Sequence, residues 1–256
     1  MASSCFVTGG AGFIGSHFCE RLLHEGHRVT AFDNLVSGRR ANIEHLIGLK
    51  NFQFIENDML NVDDMNKSMR GHDIVWHLGA NTDIPMGNQI TDLDLKNCTA
   101  ATRNVLEAML VNNIHRVVFS SSACVYGDGG KEALSESFGP LFPINLYGAA
   151  KLACEGLISA YSHLFGFKVL MFRFGNVVGA RMSHGVTYDF ITKLKKNPTK
   201  LEILGDGRQE KPYFLVEDCI DGMMCALNNS REQCDIFNLG TETISTVTGI
   251  ARIVCE

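Results

Sequence analysis

Tyr147 and Lys151 stand four residues apart in NLYGAAKLACEGLISAY, a stretch with helical apolar spacing that follows Pro143. On a helix that spacing projects the phenol and the ammonium from one face. A cation held near a phenol favours the phenolate, so the tyrosine's pKa is expected to fall toward the range where it exchanges protons near neutrality. The same spacing also occurs in ordinary surface pairs, and by itself it assigns no chemistry. Upstream, Ser120, Ser121 and Ser122 close the run RVVFSSS. If that run is a strand of a parallel sheet, its carboxyl edge is where ligands sit, and Ser122 is placed to hydrogen-bond a substrate hydroxyl beside Tyr147. Serines at a strand end otherwise serve as caps or turn residues.

The amino terminus carries a phosphate-binding pattern. In CFVTGGAGFIGSHF an apolar run ends in Gly10, Gly12 and Gly15 at GxGxxG spacing and passes into a helical pattern over Phe13 to Leu23. Glycines there let the backbone turn tightly and approach a pyrophosphate, which a helix N-terminus favours. A second apolar run, RVTAFD, ends in Asp33, eighteen residues after Gly15. A carboxylate at that place accepts hydrogen bonds from the 2′- and 3′-hydroxyls of an adenosine ribose and repels a 2′-phosphate, so NAD is expected rather than NADP. Arg39 and Arg40 follow closely and fit either a 2′-phosphate contact or a solvated surface pair. Strand, glycines, helix, strand and acid in register are far more specific than a lone GxGxxG. Gly10 to Gly15, Asp33, Ser122, Tyr147 and Lys151 follow one another in the order a single cofactor site needs.

Elements must hold these residues in place. Strand-like runs recur at CFVT, RVTAF, FQFIE, DIVWHL, RVVFSS and KVLMFRF, between helical patterns near residues 13–25, 62–70, 91–113 and 146–165. The alternation predicts an α/β fold, a doubly wound parallel sheet of the Rossmann type, and strands apolar on both parities fit burial on both faces. Residues 1–175 are expected to form the NAD-binding domain with the candidate catalytic residues. Beyond it the texture shifts to short elements with turn signals at NP and GDG. Residues 176–256 are therefore expected to be mostly a small substrate-binding segment interleaved with the core, and incomplete, since the helical pattern of its last residues stops abruptly.

With 256 residues, 45% hydrophobic and 20% charged, the chain can build a full globular core. A formal net charge of −5 and scattered basic residues argue against a nucleic-acid or anionic-membrane partner. No apolar run is long enough to span a bilayer and the first residues lack a signal-peptide pattern, so a cytoplasmic location is expected. Nine cysteines without a CxxC pair read as small buried residues in a reducing compartment. Nine histidines without an HxH or HExxH arrangement suggest no metal site.

TGGAGFIG, the strand-end Asp33, Asn57-Asp58, HLGA, FSSSACVYG, YGAAK and RFGNVVG together resemble the extended short-chain dehydrogenase/reductase family. Within it they are similar to the NAD-dependent nucleotide-sugar epimerases and dehydratases of the UDP-glucose 4-epimerase type. The likeness runs from near the first residue to the last. It implies that Phe13 and Ile14 present amides to the pyrophosphate beside Gly9, Gly12 and Gly15. Asp33 and Asn34 would hold the adenosine ribose, with Ser37 and Gly38 as further cofactor contacts, and Asp58 and Met59 would meet the adenine. Leu78 and Ala80 would line the cofactor's central portion, Tyr147 and Lys151 would bind the nicotinamide ribose, and Phe174 would pack near the nicotinamide. Asn176, in RFGN, resembles an asparagine that contacts the sugar diphosphate, with Lys211 and Tyr213 as further substrate contacts.

The reaction implied by the resemblance is epimerisation of a nucleotide sugar at C4, a UDP-hexose in the first instance, through a transient 4-keto intermediate. Tyr147 would take the 4-hydroxyl proton and Ser122 would orient the oxygen. Dehydratases and decarboxylases of the family carry acidic residues just after the catalytic hydroxyl, where this chain has Ala123 and Cys124. A dehydratase or oxidoreductase of the same family is one alternative, and a non-catalytic NAD- or sugar-nucleotide-binding protein is another. Cys124 reads as a packing residue or a proton donor. Lys211-Pro212 stands where relatives often have Arg-Asp, and a lysine supplies charge without the bidentate fork. Cys98 stands where an asparagine is usual near the cofactor. The family continues past the length of this chain, and it commonly forms a homodimer through two long helices, here near 91–113 and 146–165, although the sheet could equally cover their apolar faces.

Overall fold

A computed structural model describes residues 2–128 and 133–256 of the chain. In chain order the elements are β1 (Ser4–Thr8), α1 (Phe13–His24), β2 (Arg28–Asp33), β3 (Phe52–Glu56), α2 (Val62–Ser68), β4 (Ile74–His77), α3 (Ile84–Gln89), α4 (Ala101–Val111) and β5 (Arg116–Ser122). There follow α5 (Leu146–Phe165), β6 (Lys168–Phe174), β7 (Asn176–Val178), α6 (Val186–Lys196), β8 (Glu210–Leu215), α7 (Val216–Asn229), β9 (Cys234–Leu239), β10 (Ile244–Thr246) and α8 (Val247–Cys255).

Seven strands pair in parallel in the order β3-β2-β1-β4-β5-β6-β9. The winding reverses between β1 and β4, whose last residues Thr8 and His77 are register partners. At such a reversal the connections leave in opposite directions and open a crevice beyond the carboxyl ends. Val118, Leu170 and Phe172 join Phe18, Cys19 and Leu22 of α1 and Cys219, Ile220 and Met223 of α7 in one core. Val117, Phe119, Val169 and Met171 join Met65 of α2, Val105 and Leu106 of α4, and Cys154 and Ile158 of α5 in the other. Neighbouring residues of one strand thus enter opposite cores, which is the doubly wound arrangement the alternation predicts. Each large side chain buried in this way contributes on the order of 2 kcal/mol.

The predicted helix over 146–165 is α5. Asn145 Oδ1 accepts from the Gly148 amide at 2.7 Å to start it, and Gly166 in the left-handed region at φ 70° ends it. The helix expected over 91–113 is different: a π-helical turn, Leu95–Ala100, runs into α4, and this wider turn carries Cys98 toward Tyr147. The seventh strand, β9, is absent from the sequence pattern because it lies at the sheet edge, where Asp235 and Asn238 interrupt an apolar run without penalty. β7, β8 and β10 form a separate three-stranded sheet, and α6 and α8 pack together around Phe190, Ile250 and Ala251. Among the described residues no helix is long and apolar enough to cross a membrane.

Candidate active site

The glycine turn is packed backbone on backbone. Gly9 follows β1 at φ 68° and donates its amide to the Phe32 carbonyl at 2.8 Å; a Cβ there would lie 2.7 Å from the Gly79 Cα. Gly12 is the N-cap of α1, and a Cβ on Gly15 would lie 2.0 Å from the Gly9 carbonyl oxygen. The amides of Phe13 and Ile14 open the first turn of α1, where no helical carbonyl meets them. Asp33 closes this cradle, with Oδ2 accepting from the Ala11 amide at 3.0 Å and Oδ1 from the Leu35 amide at 2.8 Å. Burial pushes the Asp33 carboxyl up and those two amides oppose the shift. A Cβ on Gly38 would sit 2.6 Å from Asp33 Oδ1, while Ser37 beside it is exposed. Arg40 pairs with Glu44 at 3.3 Å, and Arg39 is exposed with its amide bound to the Ala11 carbonyl.

Further along the crevice, Asn34 Nδ2 donates to Asp58 Oδ2 at 2.8 Å, joining the loops after β2 and β3. Met59 lies against Gly79, where an added Cβ would be 2.9 Å from the Met59 Cε. Leu78 and Ala80, on either side of Gly79, pack against the two different cores. Asn34 follows β2, Asp58 and Met59 follow β3, and Leu78 and Ala80 follow β4, all beyond the carboxyl ends of the sheet.

At the carboxyl end of β5, Ser122 Oγ accepts from the Cys124 amide at 3.2 Å and stands beside the Tyr147 phenol, close enough to lower its pKa. Lys151 is buried, at 2% exposure, and donates to the Ser120 carbonyl at 2.5 Å. Its ammonium lies 4.7 Å from the centre of the Phe119 ring and 5.8 Å from that of Tyr147. An ammonium has three donors, and among the described residues Lys151 spends one of them on the Ser120 carbonyl.

The lowered tyrosine pKa expected from the Tyr147–Lys151 spacing is not what the protein alone produces. Burial pushes the phenol well above its ordinary value, Cys98, Cys124 and Asp94 add to the shift, and the nearby Ser122 hydroxyl opposes it. Tyr147 is therefore expected to remain protonated up to at least pH ~10 in protein stripped of cofactor. A parent-minus-Tyr147→Phe difference titration at the tyrosinate absorbance checks this, and a phenolate appearing near neutrality would contradict it. The sign for stability is fixed by the same shift. Below the unfolded-state pKa both states keep the proton; above it the unfolded chain releases a proton that the folded chain retains, so stability falls as the pH rises.

Phe174, 9% exposed, ends β6 as the register partner of Ser122. Asn176 and Tyr213 are register partners across β7 and β8, and Asn176 Nδ2 donates to the Pro212 carbonyl at 3.1 Å. Tyr213 packs against the Phe190 cluster, where burial raises its pKa. Lys211 is exposed on β8 opposite Ser245, and among the described residues no hydrogen bond or ion pair joins it to Ser122 or Tyr147. Ser122, Tyr147 and Lys151 are thus brought together, as are Asn176 and Tyr213, and Lys211 precedes on β8 the Pro212 whose carbonyl binds Asn176.

Two polar groups escape the sequence reading. His77 is held between Thr8 Oγ1 at 2.8 Å and Thr102 Oγ1 at 2.9 Å, and burial, helped by the Lys151 charge, pushes it down to about 3, which makes it a neutral core histidine. Glu155, one helical turn after Lys151, accepts from Ser121 and Arg173; that four-residue step is the signal that could have found it. Three of the nine cysteines, Cys225, Cys234 and Cys255, are exposed, contrary to the expectation of burial. Among the described residues no group of three or more His, Cys, Asp or Glu is gathered as a metal would need.

Comparison with known proteins gives a consistent picture. The model of the NAD dependent epimerase/dehydratase family matches residues 5–240. An uncharacterized UDP-glucose epimerase of Bacillus subtilis (strain 168) is 31% identical over 97% of this chain and 80% of its own length. A UDP-N-acetyl-alpha-D-glucosaminuronate decarboxylase of Bacillus cytotoxicus is 30% identical over 98% of this chain and 79% of its own. Among solved structures, a UDP-galactose 4-epimerase superposes with a TM-score of 0.88 at 36% identity, covering 98% of this chain and 82% of that one. A dTDP-glucose 4,6-dehydratase of Streptomyces venezuelae, solved with NAD, reaches 0.92 at 26% identity, covering 98% and 80%.

Proposed function

This chain belongs to the NAD-dependent epimerase/dehydratase family, and from that premise we propose that it epimerises a nucleotide sugar, a UDP-hexose, at C4 through a transient 4-keto sugar. Its cofactor is NAD. The residues present fit that cofactor: a turn packed backbone on backbone, with no room for a Cβ at Gly9 or Gly15, that brings the Phe13 and Ile14 amides to the start of α1; the Asp33 carboxylate; and a buried Lys151 anchored on the Ser120 carbonyl. Bound there, NAD would supply a reversible hydride acceptor for C4.

The protein's own part is proton handling and orientation. With the positive charge of a bound oxidised nicotinamide added to that of Lys151, the phenolate would be favoured over the protonated form that burial imposes on the protein alone. As phenolate, Tyr147 removes the proton from the sugar 4-hydroxyl, and Ser122 holds that oxygen as it becomes a carbonyl. Lys151, anchored on the Ser120 carbonyl, keeps positive charge behind the phenol. After the sugar presents its other face, Tyr147 gives the proton back to O4.

The observation that carries this reading over its relatives' chemistries is the placing of Ser122 beside the Tyr147 phenol, with Ala123 and Cys124 directly after it. Elimination of water needs an acid and a base at neighbouring carbons, and these two positions supply no carboxylate. Incubation of the NAD-loaded protein with UDP-glucose, UDP-galactose, their uronic acids and their N-acetyl forms tests it. The expected result is interconversion of one 4-epimeric pair without net NADH release. A stable 4-keto-6-deoxy product, or loss of carbon dioxide from a uronic acid, would assign the chain to the dehydratase or decarboxylase chemistry instead.

A further inference from the structure

Three residues of α5, each one turn after the last, dock on three successive residues of β5. Tyr147 meets Ser122 Oγ, Lys151 meets the Ser120 carbonyl, and Glu155 accepts from Ser121 Oγ at 2.5 Å. The first two belong to the proposed chemistry; the third has no assigned part. Glu155, 5% exposed, also takes the fork of Arg173, 6% exposed, with Nε on Oε1 at 3.0 Å and Nη2 on Oε2 at 2.8 Å. Arg173 Nη1 reaches the Tyr126 phenol at 2.9 Å, and that phenol donates to Asn238 Oδ1 at 2.6 Å.

Sheet register gives this network its meaning. Ser121, Arg173 and Asn238 are partners on one rung across β5, β6 and β9, and the next rung is Ser122, Phe174 and Leu239. A polar rung clamped by a helix carboxylate therefore lies directly beneath the rung that carries Ser122. A buried ion pair of this kind is a weak source of stability, because well-packed apolar side chains of similar volume often do as well. What a bidentate fork adds is fixed direction.

We propose that Glu155, acting through Ser121 and Arg173, is a positioning residue that locks the end of β5 against α5 and so keeps Ser122 in register with Tyr147. The proposal rests on the roles given to Ser122 and Tyr147 above. Displacements near 1 Å at a reacting group cost rate steeply while leaving ground-state binding largely intact. The signature is therefore a loss in kcat with little change in KM.

Ser121→Ala deletes the link from β5 to Glu155 and leaves the ion pair in place. It is expected to lower kcat about tenfold with KM within about threefold, and to melt close to the parent temperature. Glu155→Gln strands the Arg173 charge and is expected to lower both kcat, by about a hundredfold, and the melting temperature. Adding Arg173→Gln to Glu155→Gln is expected to restore much of the melting temperature and none of the kcat. Crystal structures of the NAD-loaded parent and Ser121→Ala supply a readout that needs no turnover: the Ser122 Oγ to Tyr147 Oη separation is expected to be longer in Ser121→Ala than in the parent. Parent-level kcat or an unchanged contact in Ser121→Ala overturns the proposal, as does a kcat that recovers with melting temperature in the double variant. A parent that turns over no nucleotide sugar would instead overturn the proposed reaction, and the contact distance would still decide the role of Glu155.

Discussion

Tyr147→Phe is expected to lower kcat by about a thousandfold, within the range that a positioned acid–base group supplies, while the protein keeps its NAD. The ring packs against the core formed by α4 and α5, and phenylalanine preserves that packing. Lys151 keeps its anchor on the Ser120 carbonyl, and the glycine cradle and Asp33 are untouched. The change therefore removes one oxygen and leaves the Cys124 amide on Ser122 and the Ser120 carbonyl on Lys151 in place. Turnover and the NAD released on denaturation, measured on one preparation, separate the effects. Occupancy should stay within about twofold of the parent if the phenol acts in chemistry rather than in cofactor binding. Retention of more than about a tenth of the parent kcat would remove Tyr147 from the role of base. Ser122→Ala offers the scale: it withdraws a hydrogen bond from the developing carbonyl but leaves the proton acceptor, so a loss of about ten- to a hundredfold is expected.

The contrast between Tyr147 and Glu155 shows which parts of the site are legible in a sequence. Tyr147 and Lys151 declare themselves because a helix brings residues four apart onto one face, a rule that needs no tertiary structure. Asp33 is equally visible, since it ends a strand at a fixed distance from the glycines. Glu155 shares the helix face of Lys151, yet its partners, Ser121 and Arg173, become neighbours only through the register of β5 against β6. Register is a long-range property, and no local pattern in RVVFSSS or KVLMFRF specifies it. β9 escapes for a related reason: an edge strand needs no continuous apolar run, and its role follows from pairing with β6. The pKa of Tyr147 marks a third limit. Spacing reveals the nearby cation but not the depth of burial, and burial is the larger influence on the phenol in the protein alone.

Burial and close approach decide the second large effect, in which one substitution made twice is expected to have opposite signs. Gly156 lies exposed in α5, and a Cβ there would meet nothing within 4 Å. Gly156→Ala should stabilise the protein by about 0.5–1 kcal/mol, because alanine loses less backbone freedom in a helix. For a chain of this size that corresponds to a rise in melting temperature of roughly 1–4 °C. Gly15 is also helical, in the first turn of α1, and propensity alone predicts the same gain. Its Cβ, however, would lie 2.0 Å from the Gly9 carbonyl oxygen, 2.8 Å from the Gly9 carbonyl carbon and 3.1 Å from the Gly10 Cα. All three are backbone atoms, so no side-chain rotation relieves the clash. Nor can Gly9 retreat, since its amide is bound to the Phe32 carbonyl and Gly79 closes its other side. Gly15→Ala must therefore push α1 away from the turn, at a cost of about 1–3 kcal/mol for overpacking. That movement carries the Phe13 and Ile14 amides off the pyrophosphate position, and NAD affinity is expected to fall at least about a hundredfold, or about 2.7 kcal/mol. Calorimetric titration with NAD beside thermal melts of the two variants reads both quantities. If Gly15→Ala bound NAD as tightly as the parent, the turn after β1 would not be where the pyrophosphate is held.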